Sequence, residues 1–214
     1  MRLSRLLVAA PLVLGALLSA CASGGGARQL DPRDGALSDV DGAPRALADT
    51  WRGHRATVLV WWASTCPCVK RYADRLAALR DRYTAAGVAF AYVSSNADDD
   101  LADLAAARAA GREIVPFLKD PGGALAQTLG VISTPTVVVL DDHGAVRFRG
   151  WIDNEHVPGD ADREPWLEDA LDALLAGRTA RAVTPVWGCT ITRSIRAPGR
   201  CAMPTHVAAP GSER

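Results

Sequence analysis

The stretch Val58-Leu59-Val60-Trp61-Trp62-Ala63-Ser64-Thr65-Cys66-Pro67-Cys68-Val69-Lys70 joins an apolar run to a turn with two cysteines. The run, rich in β-branched and aromatic residues, is typical of a buried strand. Proline suits the first turn of a helix, where its missing N–H is not needed. Beyond the cysteines, apolar side chains recur at helical spacing: Val69, Tyr72, Leu76, Leu79 and Tyr83. The pattern predicts a strand, a turn and a helix, with Cys66 at or just before the helix N-cap.

This predicted position gives Cys66 a chemical role. A helix N-terminus has unpaired backbone N–H groups and the positive end of the dipole, which favour the nucleophilic thiolate. We therefore predict that Cys66 is redox-active and that Cys68 is a candidate partner. Cys68 lies inside the helix, so its sulfur is expected roughly 200° around the axis from Cys66. A direct bridge would need local unwinding, and its small strained ring would be easily reduced.

The composition excludes some classes of partner and ligand. Lys and Arg number 24 and Asp and Glu number 24, so the formal net charge is zero. The arginines are scattered among acidic residues, whereas a nucleic-acid surface concentrates positive charge, so no nucleic-acid partner is predicted. The four histidines are far apart in sequence, without the short spacing of a metal pair. We predict no cofactor and no motif-encoded metal site.

The first twenty residues look like a bacterial lipoprotein signal peptide. Arg2 and Arg5 precede an apolar run over 6–18 that is too short for a stable membrane anchor. Leu18-Ser19-Ala20-Cys21 resembles a lipobox, which implies cleavage before Cys21 and lipidation of that cysteine. An ordinary signal peptide with a spare Cys21 is the alternative. Both interpretations place the mature chain outside the cytoplasm, where disulfides persist. The lipoprotein interpretation, which we favour, predicts a bacterial cell-envelope protein that is lipid-anchored on the periplasmic side of the inner or outer membrane.

The remaining pattern predicts one α/β domain over 37–178. A hairpin with an Asp41-Gly42 turn comes first, then strands at 57–62 and 88–93 around the first helix. Helices are predicted over 98–110, 123–129 and 162–175, and strands over 116–118, 137–140 and 145–151. Residues 21–36, with three consecutive glycines, are predicted to be a lipidated cysteine and flexible tether. Residues 179–214 form a cysteine-containing C-terminal tail.

This order of elements, with Thr134-Pro135 before a hairpin and a closing helix, resembles the thioredoxin fold: a central mixed sheet flanked by helices. The segment 62–67 resembles the active-site segment of membrane-tethered thiol–disulfide reductases and of the related redoxin and peroxiredoxin-like group. The resemblance covers about 37–176. It implies a cis Pro135 facing Cys66, with the backbone of Thr134 free to pair with a substrate chain. Candidate substrate-binding residues are Trp62, Thr65, Pro67 and Thr134.

The chain departs from this group at the second cysteine. The common pair has two residues between its cysteines, whereas Pro67 alone separates Cys66 from Cys68. Cys189 is therefore a second candidate for the resolving thiol, because Gly-Cys-Thr-Ile at 188–191 resembles a terminal Gly-Cys motif of redoxin-like proteins. A structural disulfide between Cys189 and Cys201 is the alternative, and it would stabilise the fold by roughly 3 kcal/mol.

These features predict a cell-envelope enzyme, a thiol–disulfide oxidoreductase. Its expected partners are a protein or small-molecule disulfide, a redox partner protein and, through the lipid, a membrane. One alternative is a thiol peroxidase in which Cys66 becomes a sulfenic acid and Cys189 condenses with it. The proline and threonine of the peroxidase pattern are absent, since Leu59 and Ala63 stand there. Another alternative is a copper metallochaperone using Cys66, Cys68 and a distant histidine, because soft thiolates select Cu(I).

Overall fold

The structure, a computed structural model, describes residues 30–31, 36–110, 116–155 and 159–192. The predicted signal peptide, Cys21 and Cys201 lie outside these residues. Within the described part of the chain, no helix is both long and apolar enough to cross a membrane.

A seven-stranded mixed sheet forms the centre of the molecule, in the order β2-β1-β5-β4-β3-β7-β8. The central strand β3 pairs in parallel with β4 and antiparallel with β7. Strands β6 and β9 form a separate two-stranded sheet. The strands in chain order are β1 Leu37–Ser38, β2 Pro44–Arg45, β3 Ala56–Trp61, β4 Val88–Ser94, β5 Phe117–Lys119, β6 Ser133–Thr134, β7 Val137–Asp141, β8 Val146–Gly150 and β9 Cys189–Thr190.

Helices cover both faces of the sheet, as the sequence predicts. They are α1 Pro67–Thr84, α2 Leu101–Ala109, α3 Ala124–Leu129 and α4 Trp166–Leu175, with short 3-10 helices at Leu47–Thr50 and Pro121–Gly123. Helix α2 begins later than the predicted residue 98. The carboxylate of Asp100 accepts the N–H of Asp103, and the Asp103 carboxylate accepts the N–H of Asp100. This reciprocal capping fixes the helix start.

Strand β3 lies between two apolar layers because its side chains alternate between the two faces of the sheet. Val58 and Val60 pack in the layer that contains residues of α1 and α4. Leu59 and Trp61 pack in the layer that contains residues of α3 and the first 3-10 helix. All six residues of β3 are buried, so both neighbouring layers hold the start of the thiol turn in place.

The packed unit extends beyond the predicted domain boundaries at both ends. Leu30, in the predicted tether, is 1% exposed and donates its backbone N–H to the carbonyl of Gly144. At the other end, Val183 forms a β-bridge with Arg149 of β8, and strand β9 pairs with β6. The first part of the predicted tail is therefore part of the folded domain, because its backbone groups pair with those of the core.

Candidate active site

Cys66 lies at the junction of β3 and α1, where the sequence places it. It is the N-cap of α1, with extended backbone angles (φ −80°, ψ 113°), and Pro67 is in the first turn. Its sulfur does not act as a helix cap. Instead, the Cys66 thiol donates to the carbonyl oxygen of Thr134 at 3.3 Å. The side chain is 1% exposed, so the reactive sulfur is buried against the loop that precedes Pro135.

The peptide bond between Thr134 and Pro135 is cis, which confirms the conformation that the resemblance implies. Strand β6 ends at Thr134 and therefore presents its backbone directly to the thiol turn. The edge of β6 is already paired, however. Strand β9 lies antiparallel to it, with Thr134 opposite Cys189 and Ser133 opposite Thr190.

This pairing brings Cys189 to the thiol turn. The sulfur atoms of Cys66, Cys68 and Cys189 all lie within 4.8 Å of one another. The expectation that the Cys68 sulfur points away from Cys66 is therefore wrong. The expected rotation holds between two residues of one helix, but the extended backbone of Cys66 places this residue outside the helix.

The surroundings of Cys189 change the pKa of its thiol. Burial is the main factor that raises the pKa of the Cys189 thiol, and the adjacent Cys66 sulfur raises it further. The backbone N–H of Cys68 points to the Cys189 sulfur and acts in the opposite direction. The helix N–H group is thus directed at Cys189 and not, as the sequence suggests, at Cys66. The net effect raises the pKa of the Cys189 thiol above its ordinary value and so favours its protonated form.

The three sulfurs are in different covalent states in the structure. Cys66 and Cys189 are free thiols. Cys68 is in a disulfide that involves neither of them. The direct Cys66–Cys68 bridge is therefore not formed here. The Cys189–Cys201 bridge is not formed either, because Cys189 is a free thiol, and pairing of these two cysteines in other redox states stays a prediction.

The four predicted substrate-binding residues have different environments. Thr65 and Pro67 are exposed beside Cys66. Thr134 is 1% exposed, because β9 covers its backbone. Trp62 is 4% exposed and packs edge-on against Phe117, with ring centroids 5.1 Å apart. The Trp62 side chain thus belongs to the core, and a contact of this residue with substrate stays a prediction.

Asp99 is a site residue that the sequence analysis missed. Its carboxylate accepts the backbone N–H and hydroxyl of Ser64 at 3.0 and 2.5 Å, and the hydroxyl of Ser94 at 2.8 Å. The ammonium group of Lys119 donates to the Asp99 carbonyl at 2.5 Å, and burial lowers the pKa of that lysine. Asp99 therefore anchors the turn just before Cys66. The signal available was its place after β4, because adjacent parallel strands end at the same edge.

The family of the chain follows from a sequence comparison. The model of the Redoxin family matches residues 28–163, more than half of the chain. The chain belongs to the Redoxin family. This match spans the thiol turn and Pro135 but ends before Cys189, so the family model itself does not include the second free thiol of this redoxin.

Solved structures agree with the fold of this redoxin. A conserved, uncharacterized protein from Geobacillus kaustophilus is 28% identical over 80% of this chain and 94% of its own, with a TM-score of 0.68. A hypothetical protein from Sinorhizobium meliloti is 24% identical over 78% of this chain and 96% of its own, at 0.61. A candidate thioredoxin from Neisseria meningitidis is 17% identical over 71% of this chain and 95% of its own, at 0.50. The fold is thus thioredoxin-like. The comparison with curated proteins found no match.

Proposed function

We propose that this redoxin is a thiol–disulfide oxidoreductase in which Cys66 is the nucleophile and Cys189 is the resolving thiol. The observation that carries this proposal is the pairing of β6 with β9, which places the two free thiols within 4.8 Å of each other beside the cis-proline loop. Chain movements of a few ångströms at most bring two such sulfurs to bonding distance. Cys66 is favoured as the attacking group because it is the N-cap of α1 beside the cis-proline loop, whereas burial raises the pKa of the Cys189 thiol.

The reaction in the reducing direction conserves atoms and electrons. The Cys66 thiolate attacks one sulfur of a substrate disulfide, forms a mixed disulfide and releases the first substrate thiolate. Cys189 transfers its proton to that thiolate and, now a thiolate, attacks the Cys66 sulfur. The second substrate group leaves as a thiolate and takes up from solvent the proton that Cys66 lost when it ionised. The enzyme is left with a Cys66–Cys189 disulfide, which a dithiol partner protein must reduce. Pro135 and Thr134 shape the surface opposite the attacking sulfur.

Kinetics with a simple disulfide test this proposal. Reduced protein should reduce glutathione disulfide, and Cys66→Ser should lower the initial rate on the order of a thousandfold, because the nucleophile is lost. Asp142→Asn, a substitution of an exposed residue outside the thiol site, is the control and should keep the wild-type rate. Consumption of hydrogen peroxide without disulfide exchange would instead support the peroxidase alternative. No reaction of either kind would reject both functions.

The peroxidase and copper alternatives have weaker support in the structure. Leu59 and Ala63 are buried apolar residues and supply no hydroxyl group to a peroxide at Cys66. The three sulfurs are close enough to be ligands of one soft metal ion. In this structure, however, the Cys68 sulfur is engaged in a disulfide. A three-thiolate copper site would need a different redox state, so we do not advance it.

We also propose that the mature protein is attached to the cell envelope through a lipid on Cys21, with residues 1–20 removed. The support is the lipobox-like sequence 18–21 after a short apolar run. Expressed in its full length in a bacterium, the protein should partition into detergent, and Cys21→Ala should partition into water. Cys201→Ala is the control for cysteine removal. Equal partitioning of wild type and Cys21→Ala would contradict the lipid anchor.

A further inference from the structure

Strand β9 occupies the edge that a polypeptide substrate would need. An extended peptide adds to a sheet by pairing its backbone with an unpaired strand edge. At the cis-proline loop that edge is β6, and its partner positions are taken by Cys189 and Thr190 of the same chain. The next residue, Ile191, continues the pairing by donating its N–H to the carbonyl of Ile132 at 2.9 Å.

Contacts on both sides hold this strand in place. Before it, the Trp187 ring packs against Trp151 and Trp166, with centroids 5.1 and 5.8 Å away. After it, Thr192 receives the backbone N–H of Ala97 at 2.9 Å and donates its own N–H to Asn96 at 3.1 Å. We call residues 187–192 the tail clamp. Because the clamp is fixed at both ends, exposing β6 requires these contacts to break together.

Gly188 shows how closely the tail clamp fits. A Cβ atom at this position would lie 2.2 Å from the carbonyl oxygen of Thr134 and 2.8 Å from the Trp151 ring. The φ angle of Gly188 is +119°, which side chains rarely adopt. The backbone of the clamp therefore lies directly against the loop that contacts the Cys66 thiol. No space remains there for a second peptide strand.

The three cysteines of the site are buried next to the tail clamp: the exposed fractions of Cys66, Cys68 and Cys189 are 1%, 4% and 6%. The turn next to Cys66 nevertheless has surface residues, since Thr65 and Pro67 are exposed. A small molecule approaching from this side needs only a local displacement of the turn. A polypeptide needs the whole clamp to open.

We propose that the tail clamp restricts Cys66 to low-molecular-weight disulfides and excludes disulfides within a polypeptide. The inference rests on the proposed oxidoreductase function and specifies its substrate class. The Cys66 thiolate attacks one sulfur of the small disulfide and expels a small thiolate, which accepts the proton of Cys189. The Cys189 thiolate then attacks the Cys66 sulfur and expels the second small thiolate, which takes up from solvent the proton that Cys66 lost when it ionised. Within this cycle Cys189 both blocks the docking edge and resolves the mixed disulfide.

The first test compares two substrates. Reduced wild-type protein should react with glutathione disulfide about 100-fold faster than with a short peptide dimer joined by one disulfide, because the peptide reacts only from the locally opened state. In Gly188→Ala, the Cβ displaces the clamp, and the rate with the peptide should rise at least about tenfold relative to glutathione disulfide. Gly53→Ala is the matched control, since Gly53 also has a positive φ (+79°) but open space around it.

A second measurement does not depend on a variant that must fold. In the reduced wild-type protein, iodoacetamide should label Cys66 readily, whereas a polyethylene-glycol maleimide of several kilodaltons should label it slowly, as read from digested peptides. Equal rates with peptide and glutathione disulfides in the wild type would overturn the inference and leave the oxidoreductase function standing. Absence of exchange with both disulfides would reject the function itself. An unchanged substrate preference in folded Gly188→Ala would also overturn the inference.

Discussion

The Cys66 and Cys189 thiols are both buried, and their sulfur atoms lie within 4.8 Å of each other. Cys66 is the N-cap of α1, and its thiol donates to the carbonyl oxygen of Thr134. Cys189 has a raised pKa, caused first by burial and then by the Cys66 sulfur. A protonated thiol next to a thiolate is a proton donor to the group that leaves in the first step. We therefore expect Cys66 to react first and Cys189 second.

This order predicts the behaviour of Cys189→Ser. With the resolving thiol absent, Cys66 can attack a disulfide but cannot complete the exchange. Reaction with glutathione disulfide should therefore stop at a mixed disulfide on Cys66, seen as added glutathione in the intact mass. The Cys66→Ser, Cys189→Ser double variant is the control and should carry none at these two positions. Multiple turnover by Cys189→Ser would show that another thiol resolves the intermediate.

Asp99 is expected to act by positioning the turn before Cys66. Asp99→Asn replaces the carboxylate that accepts the backbone N–H and the hydroxyl of Ser64. The substitution should lower the free energy of unfolding by about 2 kcal/mol. The oxidation rate of Cys66 should fall too, and the pH profile of its alkylation should shift relative to wild type, because the sulfur loses its fixed place. Asp142→Asn is the control, since its carboxyl is exposed and loss of a surface charge costs about 0.5 kcal/mol at most. A stability loss with an unchanged alkylation profile would leave Asp99 a purely structural role.

Strand β3 and helix α1 could be predicted from the sequence because local signals agree there. β-branched residues favour a strand, Pro67 favours a helix start, and the apolar spacing of α1 identifies its buried face. The pairing of β9 with β6 could not be predicted in this way. A two-residue strand has no periodicity, and its partner is more than fifty residues earlier in the chain. The packing of the Trp187 ring, the close approach of Gly188 and the hydrogen bonds of Ile191 and Thr192 fix it.

The contribution of the tail clamp to stability can be measured with Trp187→Ala. This ring is 8% exposed and contacts two other tryptophans, so its removal should lower the free energy of unfolding by about 3 kcal/mol. The neighbouring Val186 is 37% exposed, and Val186→Ala should cost about 0.5 kcal/mol or less. Urea unfolding curves would supply both values. Equal effects of the two substitutions would contradict the role of the ring.

For the whole molecule, the raised pKa values of buried tyrosine and cysteine side chains predict that the folded protein loses stability at alkaline pH. Burial, helped by the Asp153 carboxylate, raises the pKa of Tyr72 to about 12. Burial also raises the pKa of Tyr83 and of Cys189. Above the unfolded-state values, 9.0 for the thiol and 10.0 for the phenol, the unfolded chain releases protons that the folded chain retains. These groups therefore contribute full stability below about pH 9, and the contribution is lost as the pH rises toward the folded values.

Urea unfolding of the reduced protein over a pH series would test this dependence. The free energy of unfolding should decrease above about pH 9, and the decrease should be shallower in Tyr72→Phe, which has no phenolic proton to lose. Thr57→Val, a substitution of a buried hydroxyl that does not titrate in this range, is the control and should keep the wild-type slope. A wild-type stability that is level through the alkaline range would contradict this account.

The whole fold was more predictable than the site. The alternation of strands and helices identifies a thioredoxin-like domain, because the order of elements alone limits the possible topologies. The site depends on contacts between distant segments: the turn at Cys66, the loop at Pro135, the carboxylate of Asp99 and the clamp at Cys189. The spacing of the cysteines in the sequence does not show whether Cys189 lies close to Cys66 and Cys68. The structure brings both Cys68 and Cys189 within 4.8 Å of Cys66, and of these two cysteines Cys189 is the free thiol.

The most direct test of the redox pairing of Cys66 with Cys189 is a map of the disulfides in the purified protein. The map would be made by mass spectrometry, after alkylation, over a graded thiol redox buffer. We predict that Cys66 and Cys189 form a bridge as the buffer becomes more oxidising, and that this bridge opens again under mildly reducing conditions. The bridge should also form in Cys68→Ser. A Cys66 that remains a free thiol in every buffer, or that pairs only with Cys68, would contradict the central claim.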